Sequence, residues 1–255
     1  MRKQGVEVIG VTGSTGKTST KEAVAAVLGG AFRVFKNYGN YNGRFGLPIA
    51  LGRLLPEHEK AVLEMASDSF GEIDALCRMT SPRVGVVTAV DHTHLEYLGS
   101  LDNIAREQGQ LVEALPEDGY AVLSYDDAMV RGMMYRTPAQ VITYGIGEGA
   151  DIRATDIVAD ESGTRFRVHH RGRVSDAAVT LLGPHNVHTA LAAAAVGTAY
   201  GVPWDRILAV LAGLRPLSGR LNPLPGIKGS LVLDDTFSAS PASALAALAV
   251  LDMLE

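Results

Sequence analysis

The chain is 255 residues long, 47% hydrophobic and 20% charged, with a formal net charge of −5. That length fits one large domain or one and a part, enough to bury a core without staples, and the composition excludes a disordered chain. The single cysteine, Cys77, excludes a disulfide framework and a cysteine-based zinc site and fits a reducing cytosol, while the acidic balance argues against a general nucleic-acid-binding surface.

Val6–Val11 predicts a buried strand, followed by a glycine-rich turn and a helix from about Thr18 to Leu28. Ala61–Glu64 and Val84–Thr88 predict further buried strands, with a helix between them over Gly71–Met79 that Ser81-Pro82 stops. Leu101–Ala114 reads as a helix and Ala121–Ser124 as a strand, with Asp126-Asp127 as the cap that follows. After Pro138 the pattern changes: Val141–Tyr144, Ile152–Ala159, Thr164–His169 and Val174–Leu181 alternate apolar and polar residues, as antiparallel strands with one wet face do. Helices are expected at Ala190–Tyr200 and Trp204–Leu214, then a strand at Ser230–Leu233 and a Pro-initiated helix at Pro241–Leu254. One strand and one helix cannot enclose a core, so this last unit is either the opening of another domain or a helix docked back on the main one. The fold class expected is α/β: a mostly parallel doubly wound P-loop-type sheet flanked by helices, with a smaller antiparallel sheet. No apolar run reaches the ~20 residues of a membrane span and no secretory leader opens the chain, so the expectation is a cytoplasmic protein with no membrane or nucleic-acid partner.

The strongest chemical signal is Thr12-Gly13-Ser14-Thr15-Gly16-Lys17-Thr18 between a strand and a helix. Glycines let backbone N–H groups turn inward around phosphate oxygens, and a helix N-terminus adds partial positive charge. Lys17 can reach the β- and γ-phosphates, and the Thr18 hydroxyl can hold Mg2+. The strict Walker pattern wants glycine at position 11, where this chain has Val11, so the match is to the shorter Gly-x-x-Gly-Lys-Thr form.

Other candidate residues have two readings each. Glu64 ends a buried strand at the edge that faces the ligand crevice in open α/β sheets, where it suits a hard cation or pairs with a lysine. Asn40-Tyr41-Asn42-Gly43-Arg44 is, read alone, a polar turn before a Pro-initiated helix. Asp91-His92-Thr93-His94-Leu95-Glu96 lacks a third well-spaced zinc ligand and reads as a polar strand-end loop. Asn186 reads as a helix cap and Arg220 as a solvated loop arginine.

Taken together, these motifs resemble the Mur ligase family of ATP-dependent amide-forming enzymes, collinearly over almost the whole chain. The resemblance is nearest to its MurF type, which joins D-alanyl-D-alanine to UDP-N-acetylmuramoyl-tripeptide. It rests on the loop from Thr12 to Glu22, Asn40 to Pro48, Glu64-Met65-Ala66 with Gly71-Glu72-Ile73, His94-Leu95-Glu96, Gly183-Pro184-His185-Asn186, Gly219-Arg220-Leu221 and Asp234-Asp235. The resemblance implies ATP held by Gly13, Ser14, Thr15, Gly16, Lys17, Thr18 and Ser19, with His185 and Asn186 against the adenine, Asp235 at the ribose and Arg220 on the phosphates. It further implies Mg2+ on Thr18, Glu64 and His94, and a UDP-muramoyl-peptide near Asn40, Asn42 and Arg44, with an amino-acid or dipeptide amine as the second substrate. Lys17, Glu64, His94 and Arg220 are the catalytic set it predicts. Residues 1–218 would form the central ATP-binding domain and 219–255 the hinge and first strand–helix unit of a C-terminal domain. Family members also carry a UDP-binding domain and a complete C-terminal domain, so this chain alone is expected to bind nucleotide and to ligate poorly. The sequence departs from the family at Ala89, Thr189, Phe237, Ser238 and Ser240, and above all at Gln108, which stands where the family has a lysine that becomes carbamylated. Those departures favour a non-catalytic nucleotide-binding module as the rival; a folylpolyglutamate synthase-like ligase is the alternative within the enzyme class.

Overall fold

The computed structural model describes residues 5–93 and 95–254. Its centre is a nine-stranded sheet built from β1 (Glu7–Thr12), β2 (Val34–Lys36), β3 (Lys60–Glu64), β4 (Val84–Val87), β5 (Tyr120–Ser124), β6 (Gln140–Gly145), β7 (Ile152–Asp160), β8 (Gly163–His170) and β9 (Arg173–Val179), in the order β2-β3-β1-β4-β5-β6-β7-β8-β9. Pairing is parallel from β2 to β7 and antiparallel from β7 to β9.

Two sequence expectations are corrected by this topology. Val141–Tyr144 belongs to β6, which pairs parallel with β5 from Gln140↔Tyr120 to Tyr144↔Ser124 and is not antiparallel. Half-burial produced its alternating pattern: Val141 and Ile142 are partly exposed while Tyr144 is buried. The antiparallel strands β7, β8 and β9 also do not close a sheet of their own but continue the main one. The separate antiparallel sheet has two strands, β10 (Asn222–Pro225) and β11 (Leu231–Asp234).

Alternation along the buried strands feeds two apolar layers. Ile9, Val11, Val62, Val84 and Val86 pack with α1 (Lys17–Gly29), α7 (Asn186–Ala199) and α8 (Trp204–Ala212) on one face. Val6, Val8, Ala61 and Leu63 pack with α2 (Gly46–Leu51), α3 (Glu72–Thr80) and Leu111 of α5 (Leu101–Glu113) on the other. The short helices α4 (Leu95–Leu98) and α6 (Ala128–Gly132) complete that second layer, α6 opened by the Asp127 carboxylate accepting from Met129 N and Val130 N. Ala192 to Ala195 are all buried, and small side chains there let α7 approach α1 closely. Among the described residues no helix is long and apolar enough to cross a membrane.

The final helix, α9 (Pro241–Met253), opens with a capping box from Ser240 and Ser243. Val250, fully buried, docks it on Leu182 and Leu221, and Gly183 makes room: at its φ of +93° a Cβ would lie 2.5 Å from Val250 Cγ2. Leu245 (68% exposed), Leu248 (61%) and Leu251 (50%) form the opposite, open face.

Candidate functional site

The chain order β1, β2, β3 runs to one side of β1 and β4, β5, β6 to the other, so β1 is the switch point where an open α/β sheet opens its crevice. The loops leaving β1, β3 and β4 meet there. Gly13 leaves β1 with φ +136°, and a Cβ would stand 2.0 Å from Thr88 Oγ1 and 3.0 Å from Ala89 N, so the loop can run this close to β4 only with glycine. Gly16 then enters α1 with φ +77°. The helix has neither a side-chain cap nor an acidic residue in its first turn, and its N-terminal N–H groups and positive dipole end face the crevice. Lys17 Nζ folds over the loop and donates to Gly13 O at 2.6 Å and Ser14 O at 3.0 Å. Burial lowers the pKa of this ammonium; Glu64 opposes the shift and Arg220 adds to it. From the β4 side, Ala89 O accepts from Ser14 N at 2.7 Å, Thr88 Oγ1 donates to Thr15 O at 2.6 Å, and Asp91 N donates to Ser14 Oγ at 2.8 Å.

Glu64 ends β3 and is 3% exposed. Its Oε1 accepts from Asn42 Nδ2 at 2.8 Å, whereas its Oε2 is buried and takes no hydrogen bond. Lys21 Nζ lies 3.8 Å from that oxygen. The sequence reading offered a metal ligand or a lysine-paired carboxylate; the pairing is present and the second oxygen still has capacity. Two residues that the sequence reading did not single out hold this centre. Lys21, 1% exposed, donates to Asn37 O at 2.9 Å and pairs with Glu22 Oε1 at 3.2 Å. Asn37, fully buried, accepts from Glu64 N at 2.8 Å and donates to Glu64 O at 3.1 Å and Tyr41 O at 2.9 Å. It thereby ties the Asn-rich loop to the end of β3. A lysine four positions after Lys17, on the same helical face and beside Ala23 and Val24, was the available signal for Lys21.

Asn40, Asn42, Gly43, Glu64 and Glu72 line one wall of a cleft of about 440 Å3 whose floor is the phosphate loop. Arg44 is exposed, its guanidinium over the Phe45 ring, and its backbone N donates to Glu72 Oε1 at 2.9 Å. Arg220, Phe237, Ser238 and Ser240 form the far wall. Arg220 stacks on Phe237 at 4.5 Å and donates to Thr18 Oγ1 at 3.4 Å. Asp235 Oδ1 accepts from Leu221 N at 3.1 Å and Asp234 Oδ2 from Gly219 N at 2.8 Å, which fixes the segment carrying Arg220. Thr18 and Glu64 both line the cleft, and a hydroxyl with a carboxylate oxygen that accepts no hydrogen bond is a donor set that fits a hard divalent cation such as Mg2+. His94 lies outside the described residues, and among those described no group of three or more His, Cys, Asp or Glu forms a metal cage.

Further from the loop, Asn186 is the first residue of α7 and does not cap it. Its amide donates back to Leu182 O at 2.7 Å and lies 3.1 Å from His185 Nε2. One turn on, His188 Nε2 meets Asp126 Oδ2 at 2.7 Å, a pair separated by 62 residues that the sequence reading missed. Burial alone would raise the Asp126 carboxyl, but the N–H groups of Ile146 and Gly147 and the His188 ring outweigh it and hold it below the usual carboxylate range. A carboxyl lowered in the folded state stabilises the fold above its unfolded pKa and loses that contribution as the pH falls through the folded value. Asp126→Asn is therefore expected to flatten the acid side of the stability curve, read from thermal melts between about pH 3 and about pH 7; an unchanged acid limb would remove Asp126 from the account.

Three comparisons place this geometry. The family description "Mur ligase middle domain" matches residues 11–197. A UDP-N-acetylmuramoyl-tripeptide--D-alanyl-D-alanine ligase of Bacillus subtilis (strain 168) is 35% identical over 255 residues, which are 100% of this chain and 55% of that protein. MurF from Acinetobacter baumannii superposes with a TM-score of 0.94 at 31% identity, covering 100% of this chain and 56% of its own. The MurF ligase from Thermotoga maritima, solved in complex with ADP, gives a TM-score of 0.87 at 28% identity over 99% of this chain and 59% of that one. The chain spans about half the length of the curated relatives it matches. With the family match running from the end of β1 through most of α7, and this sheet order in place, the chain belongs to the Mur ligase family.

Proposed function

We propose that this chain supplies the ATP- and Mg2+-binding part of an ATP-dependent amide ligase of peptidoglycan precursor synthesis, of the MurF type. The observation that carries this reading is one cleft holding an uncapped helix N-terminus, Lys17 and a buried Glu64 oxygen without a hydrogen bond. Lys17 leaves the Gly13 and Ser14 carbonyls to pair with the β- and γ-phosphates, whose oxygens the N–H groups of the Gly13–Ser19 loop hold. Arg220 adds a second positive charge from the far wall as charge develops on the transferring phosphoryl group. His185 and Asn186 flank the adenine and Asp235 the ribose. Mg2+ would be held by Thr18, Glu64 and His94, and when bound it neutralises phosphate charge; one or two carboxylates with phosphates and water are its usual set.

In this reading a terminal carboxylate oxygen of a UDP-muramoyl-peptide attacks the γ-phosphorus, the bond to ADP breaks, and an acyl phosphate forms. The amine of an amino acid or dipeptide then attacks the acyl carbon, phosphate leaves, and the nitrogen loses a proton. Asn40, Asn42 and Arg44 orient the peptide, and the protein contributes chiefly alignment and charge neutralisation. Residues 1–218 act as the ATP-binding domain, 219–255 as its hinge and the start of the next unit, and the reading includes a cytoplasmic location.

Calorimetric titration with ATP tests it. Mg2+-dependent binding in roughly the micromolar range, about −8 kcal/mol, is the expected result, and a folded protein that binds no nucleotide would overturn the reading. Phosphate release on adding UDP-N-acetylmuramoyl-tripeptide and D-alanyl-D-alanine is expected to stay at background for these 255 residues, since they span 55% of the B. subtilis relative. Sustained turnover would assign the whole reaction to this stretch.

A further inference from the structure

The proposed chemistry leaves Gln108 unused, yet it is among the most tightly held polar side chains beside the phosphate loop. It projects from α5, is 7% exposed, and its amide lies 3.0 Å from Ser14 Oγ. With the amide turned so that both its ends are satisfied, its oxygen accepts from Ser14 N at 3.1 Å and its NH2 donates to Ala89 O at 3.2 Å. One side chain thus joins the phosphate loop to the exit of β4. Its neighbour Glu107, fully buried, points the other way: its carboxylate accepts from Gly71 N at 2.7 Å and Ile73 N at 2.8 Å, capping α3, which has no cap of its own. Beside Gln108 a closed space of about 10 Å3, bordered by Gly13, Lys17 and Glu107, has room for one water.

We propose that Gln108 is a positioning residue for nucleotide binding, a neutral clamp that braces the direct Ser14 N to Ala89 O bond of 2.7 Å from the side and so keeps the phosphate-loop N–H groups aimed into the cleft. An amide suits this place because it accepts and donates at once. An apolar side chain of the same length would leave Ser14 and Ala89 with their direct bond alone. A carboxylate would offer Ala89 O no donor and would set a negative charge beside the phosphates. The proposal rests on the nucleotide reading above, and its test separates the two.

Wild type, Gln108→Met and Gln108→Glu are titrated with ADP and Mg2+, and hydrogen exchange of residues 12–17 is followed in the nucleotide-free proteins. Gln108→Met is expected to weaken ADP binding about 10-fold and to speed exchange in that segment while leaving β5 and β6 unchanged. Gln108→Glu is expected to weaken it further at neutral pH. The ratio of its Kd to the wild-type Kd should then shrink as the pH falls through the carboxyl range, because a protonated carboxyl again donates and accepts. Taking the ratio at each pH cancels the titration of the native groups around the loop, Lys17, Asp91, His92 and Glu107. A pH-independent ratio would reduce Gln108 to packing. Equal Kd values and unchanged exchange in Gln108→Met, with wild-type binding intact, would overturn the clamp and leave the nucleotide reading standing. If the wild type binds no ADP, the nucleotide reading falls and the exchange result alone decides whether Gln108 holds the loop.

Discussion

Lys17→Ala is expected to weaken ATP binding by roughly 100-fold, about 3 kcal/mol, the loss typical of hydrogen bonds made to a charged partner. The side chain is poised rather than spent: it rests on the Gly13 and Ser14 carbonyls at 2.6 and 3.0 Å, bonds it can exchange for phosphate oxygens without moving the backbone. The same substitution is expected to leave stability level or slightly higher. Burial depresses the Lys17 pKa, so at neutral pH holding the charged form costs folding free energy, and alanine removes that cost. Titration calorimetry paired with a thermal melt checks both halves. Wild-type affinity in the variant would remove Lys17 from the phosphate site. A fall in Tm of more than about 5 °C would mean that lost binding reports lost structure.

Lys21→Met should do the reverse, acting on the fold before the ligand. The ammonium is buried among Asn37 O, Glu22 and Glu64, and its removal takes from the Glu64 carboxylate, itself 3% exposed, its buried ion-pair partner, leaving only the Lys17 and Arg220 charges across the cleft. Breaking a buried pair from one side costs about 3 kcal/mol or more, which in a chain of this size lowers Tm by roughly 10 °C. Mg2+ is expected to raise the Tm of the variant by more than it raises that of the wild type, because a cation at Glu64 would restore the missing charge. Differential scanning calorimetry with and without Mg2+ measures both effects. Equal melting temperatures for the two proteins would show that Lys21 contributes nothing at Glu64, and equal Mg2+ shifts would count against Glu64 as a metal ligand.

The parts of the molecule that were legible in advance are those whose causes are local. The phosphate loop is seven consecutive residues in which glycines stand where the backbone needs positive φ, and a lysine and a threonine begin the helix. The buried strands β1, β3, β4 and β5 are short β-branched runs between turn signals, and the capped helices α5 and α9 carry Ser100 and Ser240 at their starts. Three-residue β2 offered too short a pattern to be seen, and β10 begins Asn222-Pro223, a pair that reads as a turn.

What only the tertiary structure decided was partnership. Alternation along Val141–Tyr144 records how buried each residue is, not which way its neighbour runs, so the parallel pairing of β6 with β5 was invisible until the crossover placed it. Gln108 finds Ser14 across 94 residues, Asn37 finds Glu64 across 27, and His188 finds Asp126 across 62. Polar side chains carry no periodic signature of their own. A buried amide or ammonium stays where it is because another segment supplies its hydrogen bonds. The sequence by itself determined that this chain builds a glycine-rich turn from a buried strand into a helix within an α/β sheet, since sterics and helix dipoles act within a few residues. The structure decided which distant side chains brace that loop and which carboxylate oxygen beside it accepts no hydrogen bond, because those depend on distances that only the packed chain sets.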